Sequence, residues 1–208
     1  MPLRAPAALS ARLTALVGLV LPAAARAEFF QNTFGLNNPA TVITFDSPTF
    51  PRFTFITNQY AGQGVSFTPH IIYDPQLAEL PNITGHRLGS FNADGAINPY
   101  SIHFTEPQTH FAMALATNTG TTSFTALLNG VVVESATAPS STLISNNFYG
   151  FANVLFDQIE VFTMPSGGFN GSLIDNFQLG VVPGPGAAGL LAALGLAHGR
   201  RRRPARAG

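Results

Sequence analysis

The chain has 208 residues and no cysteine, which excludes thiol catalysis, disulfide exchange and cysteine-ligated zinc. Its formal net charge is zero, but residues 28–180 contain two arginines, no lysine and all ten acidic residues, giving 2 − 10 = −8. A surface of that charge repels nucleic acid and other polyanions, whereas it attracts cations such as Ca²⁺.

Residues 1–27 have the pattern of a secretory signal peptide. Arg4 and Arg12 charge the first part, the apolar run Leu13–Leu21 follows, and small residues close the segment. An N-terminal membrane anchor is the alternative, but nine apolar residues are too few to span a bilayer. The pattern therefore predicts that the mature chain begins at Glu28 and is exported.

Residues 28–180 hold all 18 phenylalanines and all four tyrosines, in short apolar runs separated by Gly, Pro, Asn and Thr. No amphipathic helix of useful length is found, and the regular spacing of the runs favours an antiparallel β-sandwich with an aromatic core. A jelly roll is the first choice and an immunoglobulin-like topology the second. The Asn129-Gly130 pair predicts a hairpin turn. The predicted strands are Thr41–Asp46, Phe53–Thr57, Gly64–Thr68, Arg87–Phe91, Tyr100–Thr105, His110–Thr117, Thr122–Leu128, Val131–Ser135, Leu143–Phe148, Ala152–Phe156, Gln158–Thr163 and Ser172–Leu179.

Three residues form a candidate calcium site. Asp46 ends the first clear strand, and Asp175 and Asn176 lie in the last strand. Terminal strands of a sandwich are often neighbours, so the two carboxylates can meet, and calcium prefers carboxylate, carbonyl and amide oxygens. The alternative is that Asp175 and Asn176 cap a bulge through local hydrogen bonds.

Two further groups of side chains allow competing interpretations. His103 and His110 flank Glu106-Pro107 and could face each other across a hairpin, where with Glu106 they would bind zinc or copper; the alternative is surface histidines on a half-exposed strand. Tyr60, Tyr73 and Tyr100 are candidates to line a glycan pocket. Enzyme function is not supported, because the sequence contains no nucleophile elbow, no zinc-protease motif and no phosphate-binding loop.

The last segment, residues 181–208, combines a turn, an apolar stretch and a cationic cluster. The 17 residues from Val181 to Ala197 would span roughly 25 Å as a helix, short for a hydrocarbon core of about 30 Å. Cations beyond the stretch would remain cytoplasmic, which places the bulk of the chain outside the inner membrane. The turn is formed by Pro183, Gly184 and Pro185, and the cluster by Arg200, Arg201, Arg202 and Arg203.

This three-part order resembles the PEP-CTERM sorting signal of Gram-negative bacteria, although Gly184 stands where that family usually has Glu. The resemblance implies an exosortase-type processing enzyme as partner, a transient inner-membrane stage and release to the cell surface or beyond. A plain C-terminal membrane anchor is the alternative.

Three pieces of the body, Tyr60–Phe67, Phe148–Ile159 and Ile174–Phe177, resemble the β-sandwich ectodomains that often precede such signals. That resemblance implies a non-enzymatic surface or matrix protein associated with exopolysaccharide and biofilm. A carbohydrate-binding module is the second expectation, and a glycan-active hydrolase the third.

Overall fold

A computed structural model describes residues 27–68, 71–76, 79–90, 99–167 and 171–180. Nearly all of the predicted signal peptide and the whole predicted sorting segment lie outside these ranges. Within them, no helix is long and apolar enough to cross a bilayer. The described residues form the domain between the two predicted terminal segments.

The domain is all-β and antiparallel, as the sequence predicted. A single turn of 3₁₀ helix, Ala61–Gln63, is the helical element of the described residues. The strands are β1 (Glu28–Asn32), β2 (Thr41–Ile43), β3 (Val65–Phe67), β4 (Ile71–Asp74), β5 (Arg87–Ser90), β6 (Tyr100–Thr117), β7 (Gly120–Leu128), β8 (Val131–Ser140), β9 (Phe148–Pro165) and β10 (Ser172–Leu179).

The strands share one sheet in the order β4-β5-β10-β6-β9-β7-β8. Three short strands extend it: β1 pairs with β9, β2 with β10, and β3 with β6. The predicted Asn129-Gly130 hairpin joins β7 to β8, with Leu128 opposite Val131 and positive φ angles of 51° and 76° at the two turn residues. Positive φ at both positions is what the tight hairpin turn requires.

The two central strands, β6 and β9, are each 18 residues long and connect the two halves of the sheet. The sequence predicted each of them as two strands. Their pairing shifts register between His103 and Gln108 and again before His110. Pro107 has no N–H to donate, so it falls where the ladder is already interrupted. Both strands continue through this irregularity instead of ending at it.

The two halves of the sheet face each other across an aromatic core. Tyr149 pairs with Met113 in one half and Phe124 pairs with Val161 in the other, yet the Tyr149 and Phe124 rings stack with centroids 4.9 Å apart. Edge-to-face contacts among buried rings continue the core from there, since aromatic pairs prefer that geometry. These rings include Phe45, Phe104, Phe111, Phe156 and Phe177. The arrangement is that of a sandwich built from one folded sheet.

Candidate functional site

The structure brings Asp46 and Asp175 to the same short loop, because the strand before Asp46 pairs with the last strand; that strand is the second of the chain, and the first, β1, pairs with β9. β2 pairs with β10, and Asp46 follows β2 while Asp175 lies in β10. The backbone N–H of Thr84 donates to Asp175 Oδ2 at 3.0 Å, and that of His86 donates to Asp46 Oδ1 at 2.9 Å. One loop before β5 therefore binds both carboxylates through its main chain.

Asp175 is a buried acid with a raised pKa. Its side chain is fully buried, and burial raises the carboxyl pKa from 3.8 to about 7. Hydrogen bonds from the backbone N–H groups of Asn176, at 2.6 Å, and Thr84 oppose that rise, whereas the charge of Asp46 adds to it. Near neutral pH the Asp175 carboxyl therefore exists in both protonation states.

Asn176 lies at a bulge in β10 and is bonded both to its neighbour Asp175 and to a residue of a distant loop. Its φ is 49°, the β10–β6 register shifts between Asp175 and Gln178, and its Nδ2 donates to the Asn82 carbonyl at 2.7 Å. The contact between Asp175 and Asn176 fits the capping alternative, whereas the bond to Asn82 joins residues that are 94 apart in sequence. Among the described residues, no group of three or more His, Cys, Asp or Glu side chains is placed to hold a metal. Carboxylate and carbonyl oxygens do gather here, so calcium at Asp46, Asp175 and Asn176 stays a prediction.

The second predicted metal set is not assembled as expected. His103, Glu106 and His110 all lie on the continuous strand β6, so the histidines do not flank a hairpin turn. His110 Nδ1 is hydrogen-bonded to the Thr109 hydroxyl at 3.0 Å. The hairpin interpretation is wrong because Glu106-Pro107 lies at a register shift within one continuous strand.

The predicted glycan-binding tyrosines are core residues. Tyr60 and Tyr73 are 0% exposed and Tyr100 is 2% exposed. Tyr60 donates to the Phe45 and Pro48 carbonyls, and the Tyr73 hydroxyl pairs with His86 Nδ1 at 2.7 Å. Buried tyrosines place the ring in the core and bond the hydroxyl to a neighbour, as seen here. The prediction that they line a ligand pocket is wrong.

A cleft that the sequence did not predict lies beside β1. This N-terminal cleft has a volume of about 540 Å³, and its lining residues include Glu28, Asn32, Phe34, Asn38, His110 and Gly180. Phe34 is 55% exposed, so an apolar ring stands among amide and carboxylate groups. An apolar surface with a few polar groups is typical of small-ligand sites. The sequence signal was the Asn and Phe cluster directly after Glu28.

The loop that carries Phe34 is fixed by side-chain hydrogen bonds. Asn32 Oδ1 accepts from the N–H of Gly35 at 2.6 Å, and Gln178 Oε1 accepts from the N–H of Leu36 at 2.6 Å. Gln178 Nε2 also donates to the Phe34 carbonyl at 3.1 Å. Since both ends of the Gln178 amide are used, the loop and its exposed ring are positioned by β10.

The fold defines the molecule as an all-β antiparallel domain. No family model and no curated protein matches the chain. Solved structures that are similar over part of it include the following three. They are the "GH31 CBM32-2 bound to GalNAc" (14% identity, TM-score 0.32, 54% of this chain and 97% of that one), a "family 6 carbohydrate-binding module" (19%, 0.32, 62% and 95%) and the "Agl-KA catalytic domain" (11%, 0.34, 71% and 30%). At these scores the likeness carries no functional argument.

Proposed function

We propose that the chain is an exported, non-enzymatic protein of the cell surface or extracellular matrix, sorted through its C-terminal segment. The observation that carries this proposal is the placement of positive charge. Eight of the ten arginines lie in the two terminal segments, and Arg52 and Arg87 are the two within residues 28–180. Cations beside apolar stretches orient a chain in a membrane, so the terminal segments have the character of export and retention signals.

The position of the domain ends supports removal of both segments. Glu28 pairs with Ala152, Ala152 pairs with His110, and the N–H of Gly180 donates to the His110 carbonyl at 3.0 Å. The two ends are therefore separated by three strand spacings, about 15 Å. Each end is hydrogen-bonded to a neighbouring strand. Cleavage before Glu28 and after Gly180 therefore leaves the described hydrogen-bond ladder intact.

The partners follow from the resemblance to PEP-CTERM proteins. An exosortase-type enzyme would cut near Pro183, after the inner membrane has held the chain transiently by its apolar stretch and arginine cluster. The mature domain, of jelly-roll connectivity, would then associate with exopolysaccharide at the cell surface or outside the cell. Calcium at Asp46 and Asp175 would add stability to the exported domain.

Intact-mass measurement of the protein from fractions of its native host tests this proposal. We expect a mature form that begins near Glu28 and ends near Pro183 in the surface or extracellular fraction. Replacement of Arg200 to Arg203 by Gln should lower the amount of that form, whereas Gln63→Glu, a charge change at an exposed residue inside the domain, is the control and should not. A full-length tail in the membrane fraction would support the plain anchor, and an intact chain in the cytosol would refute export.

A carbohydrate-binding module is a second candidate, favoured by the N-terminal cleft and its exposed Phe34 ring. Sugars bind through the apolar faces of their rings and through hydroxyl contacts, and this cleft offers a ring beside amides. Specific signals on a glycan array that are lost in Phe34→Ala, but kept in Phe55→Ala, would support it. Phe55 is 65% exposed and lies outside the cleft, so it controls for loss of an exposed ring.

A further inference from the structure

The two cationic side chains of residues 28–180 converge on one cavity, although they are far apart in sequence. Arg52 and Arg87 both line a cavity of about 280 Å³, called here the arginine cavity, together with Asp74, Gln76, Thr117 and Ser172. A domain with a formal charge of −8 has thus concentrated all its positive charge in a single place. The cavity carries two positive charges and one negative charge.

The ion pairs in the cavity hold the guanidinium groups in fixed positions. Asp74 on β4 stands opposite Arg87 on β5, and its Oδ2 accepts from Arg87 Nε at 3.1 Å and Nη2 at 2.9 Å. Arg52 Nε lies 3.4 Å from the other oxygen, Oδ1. Arg52 is also held by Gln76 at 2.8 Å and by the Phe53 ring at 4.5 Å. One carboxylate therefore serves two arginines.

This sharing leaves hydrogen-bonding capacity unused. Arg87 is only 7% exposed, and its Nη1 has no hydrogen-bond partner among the described residues. A buried N–H group without an acceptor is unfavourable, and more so on a charged group. An incoming carboxylate would supply the acceptor and neutralise the remaining positive charge. Arginine is well suited to that role because its planar group binds carboxylates in two places.

We propose that the arginine cavity binds a carboxylate-bearing sugar, such as one uronic acid residue in an otherwise neutral glycan. At about 280 Å³ the cavity lies just below the usual range of ligand sites, about 300–1,000 Å³, so it takes one sugar residue and not a long segment. Hydroxyl-bearing side chains at Thr117, Thr142 and Ser172 provide a polar wall beside the arginines. A domain with a formal charge of −8 repels an extended polyanion. A single acidic sugar residue, however, is affected mainly by the charges within a Debye length of about 10 Å.

This inference names the ligand class for the glycan association proposed above, and it rests on that proposal. Its test uses the purified full-length chain in detergent, so failed sorting and failed binding give separate results. The probes are methyl glucuronide and methyl glucoside, which differ by a carboxylate in place of a hydroxymethyl group, and sodium acetate as the bare carboxylate. Binding is measured by ligand-observed NMR titration.

We expect the glucuronide to bind with a Kd of about 1 mM or tighter, and the glucoside to bind at least about tenfold more weakly. Binding should weaken when salt is raised from about 0.1 M to about 1 M, because the charges are screened. Arg52→Gln should weaken glucuronide binding about tenfold by removing one charge-assisted contact. Arg52 is partly exposed, so this variant is suited to keeping the fold, whereas Arg87 variants disturb a buried ion pair.

The matched control is Gln63→Glu. It changes the net charge by the same amount as Arg52→Gln, and Gln63 is an exposed residue of the 3₁₀ helix outside the cavity. Glucuronide affinity should be unchanged in this control. Equal binding of glucuronide and glucoside, acetate binding as tight as glucuronide binding, or equal losses in Arg52→Gln and Gln63→Glu would each overturn the proposal.

Discussion

Replacing Asp175 by Asn should remove the pH dependence that this residue gives to the stability of the domain. The carboxyl is fully buried, and its pKa is raised from 3.8 to about 7, chiefly by burial. Between these two values the folded domain binds more protons at this position than the unfolded chain. The contribution of Asp175 to the free energy of unfolding therefore falls as the pH rises through that window, and it is most favourable on the acid side.

The magnitude follows from the size of the pKa shift. One pKa unit corresponds to about 1.4 kcal/mol, so a rise of roughly three units makes Asp175 less favourable by about 4 kcal/mol at pH 8 than at pH 4. The Asn side chain stays neutral throughout and removes this slope. It also replaces one acceptor oxygen by a donor facing the backbone N–H of Thr84 or Asn176, which costs about 1–3 kcal/mol at every pH.

Urea denaturation of wild type and Asp175→Asn at several pH values from about 4 to about 8 measures the difference. Tyrosine fluorescence reports unfolding, because the chain contains no tryptophan. We expect the variant to be less stable than wild type in acid and at least as stable near pH 8, so the two profiles cross. The control is Asp157→Asn, which removes a carboxylate at the exposed Asn129 turn. Parallel profiles for wild type and Asp175→Asn would refute the raised pKa.

Three further predictions concern the loop before β5 and the core. Gly85→Ala should destabilise the domain by more than the about 1 kcal/mol expected from φ alone, since Gly85 has φ of 74° and an added Cβ would meet the Asp46 carboxylate. Gly130→Ala is the comparison, because its φ is 76° but nothing lies within 4 Å of an added Cβ; equal losses in the two variants would contradict the steric reason. Phe177→Ala should cost about 3–5 kcal/mol in urea denaturation, because the ring is 0% exposed, whereas Phe55→Ala at an exposed ring should cost far less. Millimolar Ca²⁺ should raise Tm above pH 7, where Asp175 is ionised, and not in Asp46→Asn; an unchanged wild-type Tm against chelator would remove the calcium prediction.

Local sequence signals were sufficient for many of the strands and for the tightest turn. Ser172–Leu179 was predicted with the bounds that β10 has, because the polar and apolar residues there follow a strand pattern between turn residues. Asn129-Gly130 located the β7–β8 turn because few other dipeptides accept positive φ twice. Such features depend on neighbouring residues alone.

Predictions failed where tertiary structure overrides local strand-end and turn signals in the sequence. Glu106-Pro107 read as a strand end, yet β6 continues through it because the register shift leaves no ladder bond for Pro107 to break. Phe53–Thr57 has the composition of a strand, but only an isolated bridge at Phe55 forms there. β1 and β4 were missed, since both are short; β1 also depends on pairing with β9, more than 100 residues along the chain.

The candidate sites were harder to predict, because the sequence does not show whether a given aromatic or charged side chain faces the core or the solvent. Tyr60, Tyr73 and Tyr100 are of a residue type that often stacks against sugars, but their side chains are buried in the core. Arg52 and Arg87 are 35 residues apart and meet only through Asp74. A single arginine in an acidic sequence does not indicate which residue it pairs with. The cavity could therefore be found only from the three-dimensional structure.

The two polar regions of the domain are linked through one segment. Thr84 donates to Asp175, and three residues later Arg87 enters the arginine cavity. Burial is the main cause of the raised pKa of Asp175, and the charge of Arg87 is one of the influences that lower it. A carboxylate bound at Arg87 offsets that charge and should raise the pKa of Asp175 further. Because coupling between two binding events is reciprocal, protonation of Asp175 should in turn favour the bound sugar acid, and a neutral Asn at position 175 should make its affinity independent of this proton.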